Sequence, residues 1–263
     1  MTPPNIILIL TDTQATNMIG CYGRPDLRTP NIDALAQSGQ RFEHAYTTCP
    51  LCTPARAGLF TGIYAHTAGP WTNNLPLGAN IRTMGQIFQA GGYRTAYAGK
   101  WHLDGHDYFG TGLCPTGWDE EYWYDGANYL ADLTPEQIST WRGIKTPADL
   151  RAGGITAEFT WAHRVSDRGL RFLENQSGDQ PFLLVLSYDE PHHPYACPPE
   201  YAERFADYEY WVGPGALDTL ENKPDHQREW AEAHHWPGGA LTTRHPLYLG
   251  CNSYVDAEIG RVI

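Results

Sequence analysis

The sequence predicts a one-domain α/β fold, and two observations carry that expectation. Short runs at 6–10, 95–98 and 182–187, rich in Ile, Leu and Val or in other strand formers, have the character of strands buried on both faces, as in parallel sheets. Between the second and the third, Phe159, Ala162, Val165, Gly169 and Leu173 recur at helical spacing. Strands alternating with helices give the α/β class.

The first run, Ile6 to Leu10, ends at Thr11-Asp12-Thr13. Open α/β sheets bind ligands just past the carboxyl ends of their strands, so Asp12 is a site candidate by position. Thr29-Pro30-Asn31-Ile32-Asp33 opens a helix, with Thr as cap and Pro in the first turn, and Gly39 closes it. A second helix runs from Pro54 to about Thr61, again with Pro in its first turn and Gly62 after it, which places Cys52 at its N-terminus. The stretch from Trp101 to Ile144 is aromatic and Gly-rich without a clear period and reads as long loops over one end of the sheet. No internal repeat is visible, and no Pro-, Ser- or charge-rich run marks a hinge.

Composition excludes several classes. With 41% hydrophobic and 18% charged residues the chain is globular and not disordered. Eighteen Lys and Arg against 30 Asp and Glu leave a net charge of -12, which argues against a nucleic-acid partner. An anionic ligand would then need cations gathered locally. The apolar run at the N-terminus has five residues, with no basic flank and no small-residue cleavage site, so neither a signal peptide nor a membrane span is expected. A cytoplasmic location follows for the chain as given, and a periplasmic or secreted one if a leader has been removed. Six cysteines at 21, 49, 52, 114, 197 and 251 lack the dense spacing of a disulfide scaffold and read mostly as buried thiols.

The most informative stretch is Leu51-Cys52-Thr53-Pro54-Ala55-Arg56, continuing through Leu59 to Thr61-Gly62. It resembles the sulfatase signature C-x-P-x-R with its following Leu and Thr-Gly, in which the Cys is oxidised to formylglycine by a formylglycine-generating enzyme. The chemistry favours that conversion. A thiol is a poor nucleophile toward sulfate and its adduct is hard to release, whereas a hydrated aldehyde presents two hydroxyls on one carbon, one to attack and one to expel sulfate later. Free N–H groups and the dipole at a helix N-terminus stabilise an ionised hydroxyl and the anion it attacks, and Arg56, one turn along, can reach back to orient the diol.

The resemblance extends in both directions. Asn5 to Asp12, with Gly20-Cys21-Tyr22-Gly23 and Thr29 to Leu35, is similar to the family's opening, whose first Asp holds a divalent cation. Asp12 takes that role, with residue 52 as formylglycine. Thr13 stands where the family usually has a second Asp or a Gln, and Gln14 follows it. The implied ion is Ca2+ first, with Mg2+ or Mn2+ as alternatives, although hard cations prefer more oxygen ligands than these residues offer. Gly99-Lys100-Trp101-His102-Leu103 is similar to the family's G-K-W-H-L, in which the Lys holds sulfate and the diol and the His takes the proton of the second hydroxyl. On an extended segment, residues 100 and 102 point to the same side. Glu190-Pro191-His192-His193-Pro194-Tyr195 resembles the segment whose His contacts sulfate, and the match selects His192.

The resemblance implies an alkaline-phosphatase-like α/β/α sandwich around a large, mostly parallel mixed sheet, and a sulfuric ester hydrolase acting on a small-molecule or carbohydrate sulfate. Tyr254 to Arg261 looks like the helix leading to two further metal ligands that lie beyond Ile263, as do a later Lys and a small subdomain. The expectation is an N-terminal catalytic domain over 1–263, truncated at its C-terminus, with an exposed apolar sheet edge and weak or no turnover by itself.

Other readings compete. A phosphonate or phosphodiester hydrolase of the same superfamily needs similar contacts. Cys49-Pro50-Leu51-Cys52 is a C-x-x-C pair of redox type, but that leaves Arg56, Lys100, His102 and His192 without a role. A zinc site from His192, His193, His234, His235 and a cysteine lacks the usual ligand spacing. A non-catalytic binding module is the last. The loop bearing Trp118, Tyr122, Trp123, Tyr124, Asp125 and Tyr129 offers either a sugar-stacking face or simply core.

Overall fold

The computed structural model describes residues 3–178, 180–233 and 239–263. Three parallel strands, β1 (Ile6–Leu10), β2 (Arg94–Gly99) and β3 (Phe182–Ser187), form a sheet in the order β1-β3-β2. The register aligns Leu10 with Ser187 and Ser187 with Gly99, so all three strands end at one level. Backbone bonds carry the alignment one residue further, from Tyr188 N–H to Leu10 O at 2.9 Å and from Lys100 N–H to Ser187 O at 2.8 Å.

Helices cover both faces. Strand side chains alternate, so Ala96, Ala98, Leu184 and Leu186 form one core with α6 (Trp161–Glu174), α7 (Pro199–Glu203) and α8 (Pro246–Gly260). Tyr97, Leu183 and Val185 form the other with α2 (Cys52–Thr61) and α3 (Met84–Ala90). The helical spacing expected after Phe159 is α6. Its Gly169 lies against Leu186, where a Cβ would come within 2.9 Å of a methyl carbon, so the missing side chain sets how closely helix and sheet approach.

α1 (Pro30–Ser38) begins after Thr29 and ends before Gly39, as expected, but Thr29 does not cap it. Its hydroxyl accepts from Gly20 N–H at 2.8 Å. The cap comes from α8 instead, where Asp256 accepts from Ile32 N–H at 2.8 Å and Asn31 N–H at 3.1 Å. A long-range carboxylate at a helix N-terminus gains from both the free N–H groups and the dipole, and no local pattern announces it.

Two expectations are corrected. β1 is not buried on both faces: it is an edge strand and Ile7 is 41% exposed, because only β3 pairs with it among the described residues. The 101–144 stretch is not simply loop over the sheet. It contains α4 (Gly126–Ala131) and α5 (Pro135–Gly143), each opened by a capping box, and much of it is core. Trp118, Tyr122, Trp123, Tyr124, Asp125 and Tyr129 are all buried, which removes them as a sugar-stacking face. Trp101 and Trp118 pack edge-on against Tyr97, and Trp123 stacks on it.

All six cysteines are free thiols, but only Cys197 and Cys251 are buried. Among the described residues, no helix is long and apolar enough to cross a membrane. His234 and His235 of the zinc reading lie outside the described residues.

Candidate active site

The common end of the three strands assembles the site. Asp12 follows β1 by two residues, Lys100 follows β2 directly, and Asp189 and His192 follow β3. Cys52 is the first residue of α2, and its Sγ lies 3.9 Å from Asp12 Oδ1. The N–H of Thr53, free in the first turn, donates to Asn73 Oδ1 at 2.9 Å. A cavity of about 760 Å3 opens over Cys52, lined among others by Asp12, Thr13, Gln14 and Arg56.

Lys100 is the electrostatic centre. It is fully buried, and its Nζ lies 2.8 Å from Asp12 Oδ2 and 2.9 Å from Asp189 Oδ1. Burial opposes its charge, but the two carboxylates outweigh burial and raise its pKa. Burial likewise pushes the Asp12 carboxyl up, while Lys100 and then Arg56 pull harder and lower it to about 2. The Cys52 thiol is pushed up, mainly by burial. That is the opposite of the lowered thiol a C-x-x-C redox pair uses, and Cys49 and Cys52 are not joined.

Arg56 acts differently from the expectation that it reaches back to the diol. Its Nη1 donates to Lys100 O at 2.6 Å and to Ser187 Oγ at 2.8 Å, and its Nη2 lies 3.5 Å from Asp12. Tyr97 Oη and Ser187 Oγ donate to the same Lys100 carbonyl, at 2.5 and 2.8 Å. Three donors on one carbonyl fix the backbone that aims the ammonium.

His102 does not continue an extended segment, since its φ is 58°. Its Nε2 lies 2.8 Å from Asn74 Oδ1 and its Nδ1 is buried with no partner among the described residues. A carbonyl oxygen can only accept, so Nε2 carries the proton and the free lone pair sits on Nδ1. Burial first, then Lys100 and Arg56, lowers the ring's pKa to about 4, which keeps it neutral at ordinary pH. His192 is half-buried, with Nδ1 2.9 Å from His193 O and 4.0 Å from Asp189. The Tyr108 ring joins these groups, 5.0 Å from Lys100 Nζ and 5.5 Å from the His192 ring.

Ligand atoms of Asp12, Cys52 and His192 lie within 4.8 Å of one another. One carboxylate, one imidazole and the side chain of residue 52 fit a divalent ion as part of a shell, since a hard cation takes six or more ligands, mostly oxygens. Thr13 is exposed, with φ 58°, and its backbone carbonyl accepts from the Tyr248 hydroxyl. Gln14 is drawn elsewhere, with Oε1 accepting from Thr11 Oγ1 at 2.9 Å and Nε2 donating to Asn252 Oδ1 at 2.8 Å.

Sequence reasoning missed Asp189, Asn73, Asn74 and Tyr108. Asp189 lies two residues past β3, in the same relation as Asp12 to β1, and that symmetry was a usable signal. The others are loop residues with no signature.

A parallel sheet flanked by helices, with buried cations meeting a helix-borne Cys at the strand ends, defines the class: an α/β protein of the sulfatase type, with Cys52 on a helix N-terminus. The chain belongs to the sulfatase family, whose profile matches residues 4–263. It is 58% identical to the uncharacterized sulfatase YidJ of Escherichia coli (strain K12), over all of this chain and 54% of that protein. An ulvan-active sulfatase of Formosa agariphila is 32% identical, over 89% of this chain and 44% of that protein. The chain thus spans about half the length of the curated relatives it matches. Among solved structures, a protein in complex with its substrate D-glucosamine-2-N,6-O-disulfate superposes with a TM-score of 0.68 at 21% identity, over 98% of this chain and 61% of the other. The phosphonate monoester hydrolase of Agrobacterium radiobacter gives 0.67 at 21%, over 99% and 58%. At those identities the likeness shows the fold, and the fold is the α/β architecture with a parallel sheet that the sequence predicts.

Proposed function

We propose that this chain carries the nucleophile half of a sulfuric ester hydrolase, acting through a formylglycine hydrate formed from Cys52 on an organic sulfate, a carbohydrate sulfate in particular. The observation that carries the reading is the placement of Cys52 on the first turn of α2 beside Asp12, with Lys100 and His192 facing the same point. The carbohydrate preference rests on the relatives, one of which is named for ulvan and another, from Bacteroides thetaiotaomicron, as an N-acetylglucosamine-6-O-sulfatase.

In this reading a formylglycine-generating enzyme oxidises Cys52 during maturation, and the aldehyde adds water. One hydroxyl of the hydrate loses its proton and attacks sulfur. The sulfur–oxygen bond to the alcohol breaks, and the alcohol departs with a proton. Lys100 and His192 hold the sulfate oxygens, and the N–H groups of the first turn of α2 favour the negative charge that collects there. The second hydroxyl then gives its proton to His102 Nδ1, the carbon–oxygen bond to sulfate breaks with its electron pair leaving on sulfate, and the aldehyde is restored. A neutral His102 with one free lone pair suits that step. A divalent cation, Ca2+ first and Mg2+ or Mn2+ as alternatives, would be held by Asp12 and the side chain of residue 52 and would neutralise charge on the bound ester.

Mass spectrometry of residue 52 after co-expression with the generating enzyme tests the reading. A loss of about 18 Da relative to Cys supports it. Unconverted Cys52 beside a converted control sulfatase sinks it. A phosphonate monoester hydrolase is the second reading, favoured by the near-equal structural match, and rates on an aryl sulfate against an aryl phosphonate monoester separate the two.

A further inference from the structure

A second cavity, of about 530 Å3, adjoins the site through Tyr108 and His193, and its chemistry differs from the Cys52 cavity. Tyr108, Arg142, Lys145, His193, Tyr195 and His245 are among the groups lining it. Tyr108 connects it to the catalytic groups, since its ring packs on Lys100 and His192. The rings of His192 and His193 lie 4.3 Å apart.

The cations are the notable feature. In a chain with 18 Lys and Arg against 30 acids, most basic side chains should find a carboxylate. Arg142 and Lys145 are exposed, and neither forms an ion pair with a described carboxylate. Asp149, whose carboxyl is lowered in small part by the Lys145 charge, spends Oδ2 on the N–H groups of Lys145 and Thr146 and on the Thr146 hydroxyl, and it forms no ion pair with the Lys145 ammonium. Arg142 ends α5, where a cation suits the dipole, but that does not account for Lys145, which lies past the helix and opens into the same cavity. Two cations with no ion pair among the described residues, lining one cavity with Tyr108 and Tyr195, match a sugar ring that bears a negative charge.

Resting on the hydrolase reading for the position of the scissile sulfate, we propose that this cavity is a binding subsite for a second anionic group, sulfate or carboxylate, on the same sulfated sugar or on its neighbour. The substrate class is then a polyanionic glycan fragment, and Arg142 and Lys145 select it.

Binding is measured by calorimetry with the Cys52→Ala protein, so that nothing turns over. The probes come in pairs: N-acetylglucosamine 6-sulfate against N-sulfoglucosamine 6-sulfate for a second sulfate, and glucose 2-sulfate against glucuronic acid 2-sulfate for a carboxylate. In at least one pair the doubly charged member should bind tighter by about tenfold or more, as charge-assisted hydrogen bonds allow. Adding R142A and K145A should bring that ratio to about one, while R142K with K145R should keep most of it. Ratios near one in both pairs, or a ratio that survives R142A with K145A, overturn the proposal. Conversion of residue 52 to formylglycine is assayed separately on the Cys52 protein. Preference without conversion leaves the subsite standing and counts against the hydrolase reading, and conversion without preference does the reverse.

Discussion

Replacing Lys100 by Met tests the electrostatic centre of the site through stability alone. The side chains are similar in length, but the ammonium that sits 2.8 Å from Asp12 and 2.9 Å from Asp189 is lost. Asp12 is 9% exposed and Asp189 3%, so water cannot take over. A carboxyl held at about 2 in place of 3.8 corresponds to roughly 2.5 kcal/mol of stability at neutral pH, at about 1.36 kcal/mol per pKa unit. Breaking a buried pair costs more than that, about 3–5 kcal/mol, because the partner stays behind uncompensated. Arg56, 3.5 Å from Asp12, offsets part of it. The expected loss is therefore about 3 kcal/mol at pH 7, read as a shift of the urea midpoint. The sign of the pH dependence is a second check. In the parent protein Asp12 is a lowered acid, so its contribution is complete above about pH 4 and fades as pH falls toward 2. In the variant Asp12 keeps burial without its main cation, its carboxyl rises, and acid relieves the penalty by protonating it. The gap between the two proteins should be widest near pH 7 and narrow by pH 4. A gap below about 1 kcal/mol at pH 7, or one that does not change with pH, refutes the reasoning.

Three further outcomes are expected. Gly99→Ala should cost more than about 3 kcal/mol in thermal unfolding, since Gly99 has φ 110° and a Cβ would meet Ser187 O at 1.9 Å; a stable, normally folded Ala variant would contradict the register at the strand ends. Glu190 is buried, with Oε1 accepting from Ala162 N–H at 2.9 Å and Oε2 without a partner among the described residues, and burial followed by Asp189 raises its carboxyl to about 8. A raised acid makes the fold lose stability as pH rises from 4.5 through 8, so Glu190→Gln should flatten that slope and be the more stable protein at pH 8 by at least about 1 kcal/mol in urea unfolding, and equal slopes would count against it. Asn74→Asp should raise the His102 pKa from about 4 and move the acidic limb of the pH–rate profile upward, whereas Asn74→Ala should lower kcat more than it changes KM; unchanged profiles in both would remove Asn74 as a positioning residue.

The sequence by itself determined the class of fold and pointed to most of the polar groups that the strand ends bring together. Strand composition and helical period are local properties, and both survive in the structure as β1, β2, β3 and α6. The motifs at Cys52, Lys100 and His192 also report place, because each follows a strand or opens a helix and a parallel sheet brings such ends together. Tertiary structure decided the rest. The strand order β1-β3-β2 brings the three strand ends together so that the Lys100 ammonium reaches both Asp12 and Asp189, and nothing local to any of the three residues specifies a shared ion pair. Asp256 caps a helix more than 220 positions away, leaving Thr29 free for Gly20. Gln14, adjacent in sequence to the candidate ligands, turns to Asn252 instead. Trp118 and Trp123 became core against Tyr97 on β2, and Tyr122 and Tyr129 became core against Phe172 and Trp161 of α6, an outcome that composition cannot tell from a sugar platform. Partner choice among buried polar groups depends on distances across the fold, and those distances exist only once the sheet has set its order and register.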